Sequence, residues 1–356
     1  MGRIRKPLLR DLVGNLKDTV SLTKAALLSN PNTSMAVLRA TSHDTSTPAH
    51  EKHVSALLSL GHGSRLTASS CVSALMDRLH NTHSPSVALK CLIAFHNILR
   101  RGSFILQDQL SIYPSTGGRN YLNLSNFHDP STPESWQLSS WVRWYARALE
   151  QLVFTSRIVG FFLSSSSSFA NKSKNDKSTM EAEEEKVTAL SNAYLLKEIG
   201  SLVGVVEEIS KAPDYDVLKG NGLVLEVMRL VGEDNLMTQK EILVRLMEMR
   251  ERLSCLSFSE SVELVCVMNR LKNCKRLLMF LTLDEKLRSG DLLLGLVGEM
   301  EEKVKAGEGF GEETRLVGRG NRSESARLDG RVTSRSLDLV RFCSARMETW
   351  ADSSCY

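Results

Sequence analysis

Apolar residues recur at three- and four-residue steps along most of the chain, which is the spacing of one face of an α-helix. The first such stretch includes Leu12, Leu16 and Val20. Prolines, glycines and short polar runs interrupt the pattern at turn-sized intervals. The helices that this pattern predicts include 33–43, 50–60, 66–81, 84–101, 103–111, 139–163, 182–211, 219–232 and 238–253. Each helix is too narrow to bury its own apolar face, so we expect neighbouring helices to stack on one another.

A change in composition divides the chain into four parts. Residues 164–181 begin with five serines and continue with Ser, Lys and Asn without apolar periodicity, which is typical of a disordered linker. They separate a first helical half, residues 1–163, from a second helical half, residues 182–306. From Gly307 onward, Gly, Arg, Ser and Glu predominate, so we predict a disordered tail over 307–356.

Composition favours a helical protein without a membrane span. The chain has 356 residues, 42% of them hydrophobic, but only 8 prolines and 6% aromatic residues. No apolar run reaches the roughly 20 residues that cross a bilayer, and the N-terminus lacks the features of a secretory signal. The 7 scattered cysteines fit a reducing cytosol. The sequence therefore predicts that any contact with a membrane is peripheral.

Charge is distributed unevenly behind a net value of +4. The first helical half holds 17 Lys and Arg against 9 Asp and Glu, whereas residues 164–310 hold 20 against 25. A basic first half is suited to an anionic surface, and the acidic second half to another partner. Nucleic acid is not expected, because the basic residues are dispersed and form no Arg-rich arm, RNP-like motif or zinc-finger spacing.

The best candidate site lies at the junction of two predicted helices. Arg39 is in the last turn of one helix, and His50, Lys52 and His53 open the next. Helix N-termini favour anions because their first N–H groups have no partner within the helix. Four cationic or protonatable side chains at such a point are suited to a phosphate site that requires no catalytic group. The alternative from the residues alone is a solvated helix–turn–helix whose charges have no special role.

Other potentially reactive residues do not predict an enzyme. His80, His83, Cys91 and His96 are of metal-ligand type, but their positions on predicted helices give no reason for four ligands to converge. Nucleotide-binding glycine patterns and the nucleophile elbow are absent from the sequence. We therefore expect no enzymatic activity, no metal and no cofactor.

Three segments resemble the ANTH domain of clathrin assembly adaptors, in the form found in plants. They are ALKCLIAFHNILRRG (88–102), YLNLSNF (121–127) and SSWVRWYAR (139–147). That family binds phosphatidylinositol 4,5-bisphosphate through lysine, nine residues, lysine, one residue, lysine or arginine, then histidine or tyrosine. From Arg39, strict spacing leads to Ala49, Glu51 and Lys52, whereas one extra residue in the turn leads to His50, Lys52 and His53.

The resemblance implies an all-α superhelical solenoid of about ten to eleven helices, similar to ENTH and ANTH domains. It also implies an endocytic adaptor that binds this lipid through Arg39, His50, Lys52 and His53, with a SNARE as possible cargo on the second helical half. Its location would be clathrin-coated pits and vesicles, at the plasma membrane or the Golgi. The alternative is a helical scaffold that binds only proteins, which the altered lipid motif leaves open.

Direct binding of clathrin is the family property with the least support in the sequence. Family tails carry short motifs such as Asn-Pro-Phe, Asp-Pro-Phe or Asp-Leu-Leu. The tail over 307–356 holds only a weak counterpart, Asp338-Leu339-Val340, and Asp291-Leu292-Leu293 falls in a predicted helix. We therefore expect the tail to bind clathrin poorly.

Overall fold

A computed structural model of the chain describes residues 9–25, 31–113, 120–163, 185–215, 218–274 and 289–305. The regular elements in these ranges are helices, so the all-α prediction is confirmed. In chain order, the α-helices are α1 (Leu9–Ala25), α2 (Pro31–Ala40), α3 (Glu51–Ser59), α4 (Arg65–Asn81), α5 (Pro85–Arg101), α6 (Phe104–Ser111), α7 (Pro133–Val159), α8 (Asn192–Ser210), α9 (Gly222–Glu251), α10 (Phe258–Asn273) and α11 (Ser289–Lys305). Short 3-10 turns follow α3 and α9, at Leu60–His62 and Leu253–Cys255.

The helices belong to two compact units. The first unit comprises residues 1–186 and 201–242, and the second comprises 187–200 and 243–356. The predicted linker, 164–181, and the predicted tail, 307–356, lie outside the described residues. The four-part division of the chain therefore stays a prediction.

Helix α5 is at the centre of the first unit. All its residues from Pro85 to Leu99 are buried, as expected for a helix surrounded by others on every side. It packs against α7, whose Trp141 and Tyr145 are among the largest fully buried side chains. Burying aromatic side chains of this size contributes a large share of the hydrophobic stabilisation of a domain. The first unit thus has a well-packed core, and α2 and α3, which carry the candidate site, pack against α5.

Helix ends follow recognisable capping chemistry. Ser64 caps α4 by accepting a hydrogen bond from the backbone N–H of Thr67, and Ser103 caps α6 in the same way. Gly160 ends α7 with a φ of +86°, a conformation that favours glycine. Helix α7 begins at Pro133, after the capping residue Thr132, and not near residue 139 as predicted. A proline at the first helical position is pre-organised for a helix start, which explains the earlier boundary.

Three predicted helices in the second half were wrong in their extent. The predicted helix 182–211 is broken at 189–191, before α8 begins. The predicted helices 219–232 and 238–253 are one continuous helix, α9. Asp234 and Asn235, two of the polar residues in the predicted break, are buried, and the carboxylate of Asp234 lies 2.6 Å from Nε2 of His96. Tertiary contacts of this kind override the local preference of a sequence.

The second unit is held by apolar packing and by a buried ion pair. Nε of Arg245 lies 2.7 Å from a carboxylate oxygen of Glu198, and both side chains are more than 90% buried. Ser257 and Glu260 form a capping box at the start of α10. The Asp291-Leu292-Leu293 sequence lies in α11, as predicted, and Leu293 is fully buried there. Its burial prevents this sequence from acting as an extended peptide motif in the folded unit.

Candidate functional site

The four predicted ligands lie at the facing ends of α2 and α3. Arg39 is in the last turn of α2, and Lys52 and His53 are in the first turn of α3. Arg39, His50 and Lys52 are exposed, and His53 is half-buried. His50 is the N-cap of α3, and its Nδ1 accepts a hydrogen bond of 3.2 Å from the backbone N–H of Lys52. We call Arg39, His50, Lys52 and His53 the basic cluster.

Electrostatics show that the basic cluster is compact. The pKa of His53 is lowered from its ordinary value by partial burial and then by the positive charges of Lys52, His50 and Arg39. The rings of His50 and His53 are 6.3 Å apart. Arg39 is fourteen residues away in sequence, so only the turn between the helices brings its charge to His53. The mutual repulsion of these groups is relieved when an anion binds among them.

An acidic residue inside the basic cluster is paired with an arginine from another helix. Glu51 stands between His50 and Lys52 in sequence, where it would oppose a bound phosphate. Its carboxylate lies 2.8 Å from a guanidinium nitrogen of Arg101, at the end of α5, and also accepts a hydrogen bond from Ser55. This pairing weakens the field of Glu51 at the cluster.

The turn between α2 and α3 is shaped by its own acidic residue. The carboxylate of Asp44 accepts hydrogen bonds from the backbone N–H groups of Ser46 and Thr47 and from Oγ1 of Thr47, the last at 2.6 Å. Partial burial acts to raise the pKa of Asp44, but these hydrogen bonds outweigh it, so the pKa is lowered. An aspartate in this role fixes the path of a tight turn.

A second network ties the start of the same turn to α1 and α4. Asp18 of α1 accepts a hydrogen bond from the backbone N–H of His43, and Nδ1 of His43 lies 2.6 Å from the same carboxylate. Arg78 of α4 donates to Oγ1 and to the carbonyl oxygen of Thr41 and lies 3.6 Å from Asp18. The end of α2, which carries Arg39, is therefore held by side chains from two other helices.

A buried lysine supports the turn from below. Lys90 of α5 is 2% exposed, and its Nζ donates a hydrogen bond of 3.1 Å to Oγ of Ser42. Burial lowers the pKa of Lys90 to about 8, although the charges of Asp44 and Asp18 act to raise it. The amine of Lys90 therefore lies under the turn and loses its proton near pH 8.

A groove of about 720 Å³ lies beside this network, between α1, α2 and α4. Its lining includes the basic residues Lys17, Lys24 and Arg78 and the acidic residues Asp77 and Asp129. Arg78 is already bound to Thr41 and Asp18. Charges in the groove are close to balanced, so the exposed basic cluster is the stronger candidate for an anion.

The remaining histidines and cysteine considered in the sequence do not come together. His96 is buried between Tyr145, at 2.8 Å, and Asp234. Complete burial raises the pKa of Cys91 to about 12, which keeps its thiol protonated. Within the described part of the chain, no group of three or more His, Cys, Asp and Glu side chains has the geometry to hold a metal ion.

Sequence reasoning identified the basic cluster but missed the residues that hold it. Asp18, His43, Arg78 and Lys90 received no role there. One available signal was a lysine at position 90 in the otherwise apolar segment ALKCLIAF.

In the described ranges, no helix combines the length and the apolar character that crossing a bilayer requires.

Comparison of the sequence with known proteins points to one family. The profile of the ANTH domain matches residues 32–282. Two proteins of Arabidopsis thaliana that share the name "Putative clathrin assembly protein" are similar over long stretches. At4g40080 is 45% identical over 97% of this chain and 95% of its own length, and At5g10410 is 30% identical over 68% and 69%. A third, At2g25430, is 37% identical over 41% of this chain and 22% of its own length. The predicted ENTH- and ANTH-like solenoid fold is confirmed by these matches.

Proposed function

Since the chain belongs to the ANTH-domain clathrin assembly protein family, we propose that it is a peripheral endocytic adaptor that binds phosphatidylinositol 4,5-bisphosphate. Arg39, Lys52 and His53 bind the headgroup phosphates, and His50 is a fourth ligand. The protein acts by binding and carries out no catalysis.

The observation that carries the proposal is the placement of Arg39 in the last turn of α2 and of Lys52 and His53 in the first turn of α3, with the rings of His50 and His53 6.3 Å apart. Cations that repel one another at the N-terminus of a helix are a poor arrangement for stability alone, and a multivalent anion removes the repulsion. Phosphate groups also accept several hydrogen bonds at once, which suits two imidazoles, an ammonium and a guanidinium.

Magnitudes set the strength of the contact. Each Lys or Arg near an anionic leaflet contributes roughly 1 kcal/mol, so three or four charged groups alone give about millimolar binding. Charge-assisted hydrogen bonds of about 1.5–3 kcal/mol each bring a headgroup toward micromolar affinity. Stable residence on a membrane then requires a second contact through coat, cargo or a neighbouring copy.

We place the second contact among the partners that the family implies. Clathrin is the partner in the names of the similar proteins, and the proposed role is to link the membrane to coat assembly at coated pits and vesicles. A SNARE is the proposed cargo of the second helical half. Golgi-derived membranes are an alternative location to the plasma membrane.

The test of lipid binding is co-sedimentation of the full chain with vesicles. The double variant Arg39→Glu/Lys52→Glu should lose binding to phosphatidylcholine vesicles that contain phosphatidylinositol 4,5-bisphosphate, while its circular dichroism and melting stay unchanged. The matched control, Lys197→Glu/Lys240→Glu, makes the same change of charge at exposed positions of α8 and α9 and should bind like the natural protein.

Two outcomes would contradict the assignment. Equal binding by the double variant and the natural protein in physiological salt would remove Arg39 and Lys52 from the site. A natural protein that ignores the phosphoinositide would favour the alternative of a helical scaffold that binds only proteins, in agreement with Ala49 and Glu51 at the strictly spaced motif positions.

A further inference from the structure

Three prolines in the chain follow a serine or a threonine, and two of them are explained by helix starts. The pairs are Ser84-Pro85, Thr132-Pro133 and Thr47-Pro48. Pro85 and Pro133 are the first residues of α5 and α7, and the residues before them are the N-caps. These two pairs serve folding, because proline at the first helical position pre-organises a helix.

Thr47-Pro48 serves no helix start. Helix α3 begins at Glu51, three residues after Pro48, and its N-cap is His50. The side chain of Thr47 is exposed, whereas Ser84 and Thr132 are half-buried at their helix ends. Residues 48–50 have no regular structure, and a residue before proline is biased to an extended backbone. An exposed hydroxyl outside the helices, followed directly by proline, is what a proline-directed protein kinase requires of a substrate.

The backbone around Thr47 is nevertheless held in place. A Cβ added to Gly222, at the start of α9, would lie 2.8 Å from the carbonyl oxygen of Ser46 and 3.2 Å from Pro48. The segment therefore packs closely on the first unit and presents the side chain of Thr47 outward. Oγ1 of Thr47 donates a hydrogen bond of 2.6 Å to the carboxylate of Asp44.

A phosphate on Thr47 would change the electrostatics of the turn in two ways. It would bring about −1.5 to −2 charges next to Asp44, whose hydrogen bond from the hydroxyl would be lost. It would also stand three residues from His50. Three residues span at most about 11 Å, comparable to the distance of about 8–10 Å over which salt screens charge. The basic cluster would then be neutralised from within its own turn.

We propose that Thr47 is a phosphorylation site for a proline-directed kinase and that its phosphate turns off the basic cluster. The second part rests on the lipid-binding function proposed above. The kinase transfers the γ-phosphoryl group of a nucleoside triphosphate to Oγ1 of Thr47. A bond from oxygen to phosphorus forms, the bond to the leaving nucleoside diphosphate breaks, and the hydroxyl proton is released.

The experiment treats the full chain with a proline-directed serine/threonine kinase and ATP and locates the phosphate by mass spectrometry. We expect phosphate at Thr47 and little at Ser84 or Thr132. The purified phosphoprotein should then bind vesicles of phosphatidylcholine and phosphatidylinositol 4,5-bisphosphate at least about tenfold more weakly than the unmodified chain. The Thr47→Ala variant is the control, because the same kinase treatment should leave its binding unchanged.

The possible failures are distinguishable. No phosphate at Thr47 under conditions that modify a standard peptide overturns the site. Full phosphorylation with unchanged vesicle binding overturns the switch while lipid binding stands. An unmodified chain that does not bind these vesicles overturns both the lipid-binding function and the switch. Weakened binding of kinase-treated Thr47→Ala assigns the effect to another residue and also overturns the proposal.

Discussion

Lys90 gives a quantitative test of how the turn between α2 and α3 is supported. Its ammonium group is buried under the turn, and burial lowers its pKa from 10.5 to about 8. At 1.36 kcal/mol per pKa unit, this difference corresponds to about 3 kcal/mol. Below pH 8, the folded protein holds a charged lysine that solvent would stabilise better, so the charge costs about this much stability.

The sign of the pH dependence follows from proton binding. Between pH 8 and 10.5, the unfolded chain keeps a proton on Lys90 that the folded chain has lost, so stability rises with pH in this window. The Lys90→Met variant has a side chain of similar length without the charge and lacks this dependence. Relative to Lys90→Met, the natural protein should therefore gain about 3 kcal/mol between pH 7.5 and 10.5.

Urea unfolding of both proteins at a series of pH values measures this difference. Other titrating groups affect both proteins alike and cancel in the comparison. A second comparison with Lys240→Met, at an exposed position of α9, should show no such change with pH. A difference between the natural protein and Lys90→Met that stays constant from pH 7.5 to 10.5 would refute the argument that burial dominates the energetics of Lys90.

Three further expectations concern the basic cluster and the tail. Lipid affinity should rise as pH falls from about 7.5 to 6, because phosphate raises the lowered pKa of His53 and binding then takes up a proton. The His50→Lys/His53→Lys variant controls for protonation of the headgroup, and an equal slope in that variant would exclude the histidines as ligands. Glu51→Gln should tighten vesicle binding roughly fivefold, or about 1 kcal/mol, because it removes the acidic charge that Arg101 partly offsets. Unchanged affinity in co-sedimentation would show that Arg101 already cancels the effect of Glu51 on the basic cluster. The segment 307–356 should capture clathrin terminal domain poorly in a pull-down, and strong capture would assign a role to Asp338-Leu339-Val340.

Periodicity predicted the helices better than it predicted their limits. The predicted 84–101 and the observed α5 differ by one residue, because Pro85 and Gly102 mark both ends. By contrast, the break predicted after Gly232 does not occur. Asp234 is polar in sequence but buried against His96 in the fold, and no local pattern reports a contact between residues so far apart in sequence.

The same limit applies to the site. Arg39, His50, Lys52 and His53 were found because cations near helix ends are visible in one short stretch of sequence. The residues that shape their turn were not found, because Asp18 reaches His43 across 25 positions and Lys90 reaches Ser42 across 48. The ligands of a site can be close together in sequence while the residues that orient them are far away in sequence.

The distance in sequence between Ser42 and Lys90 has a consequence for the order of events during synthesis. The basic cluster is complete once residue 53 has been made, but its turn has no lower support until α5 has emerged and folded. Contacts between distant residues form late, because the chain between them must be ordered first. A nascent chain that ends before α5 should therefore have little affinity for a membrane, and premature attachment of unfinished chains is disfavoured by the way the turn is built.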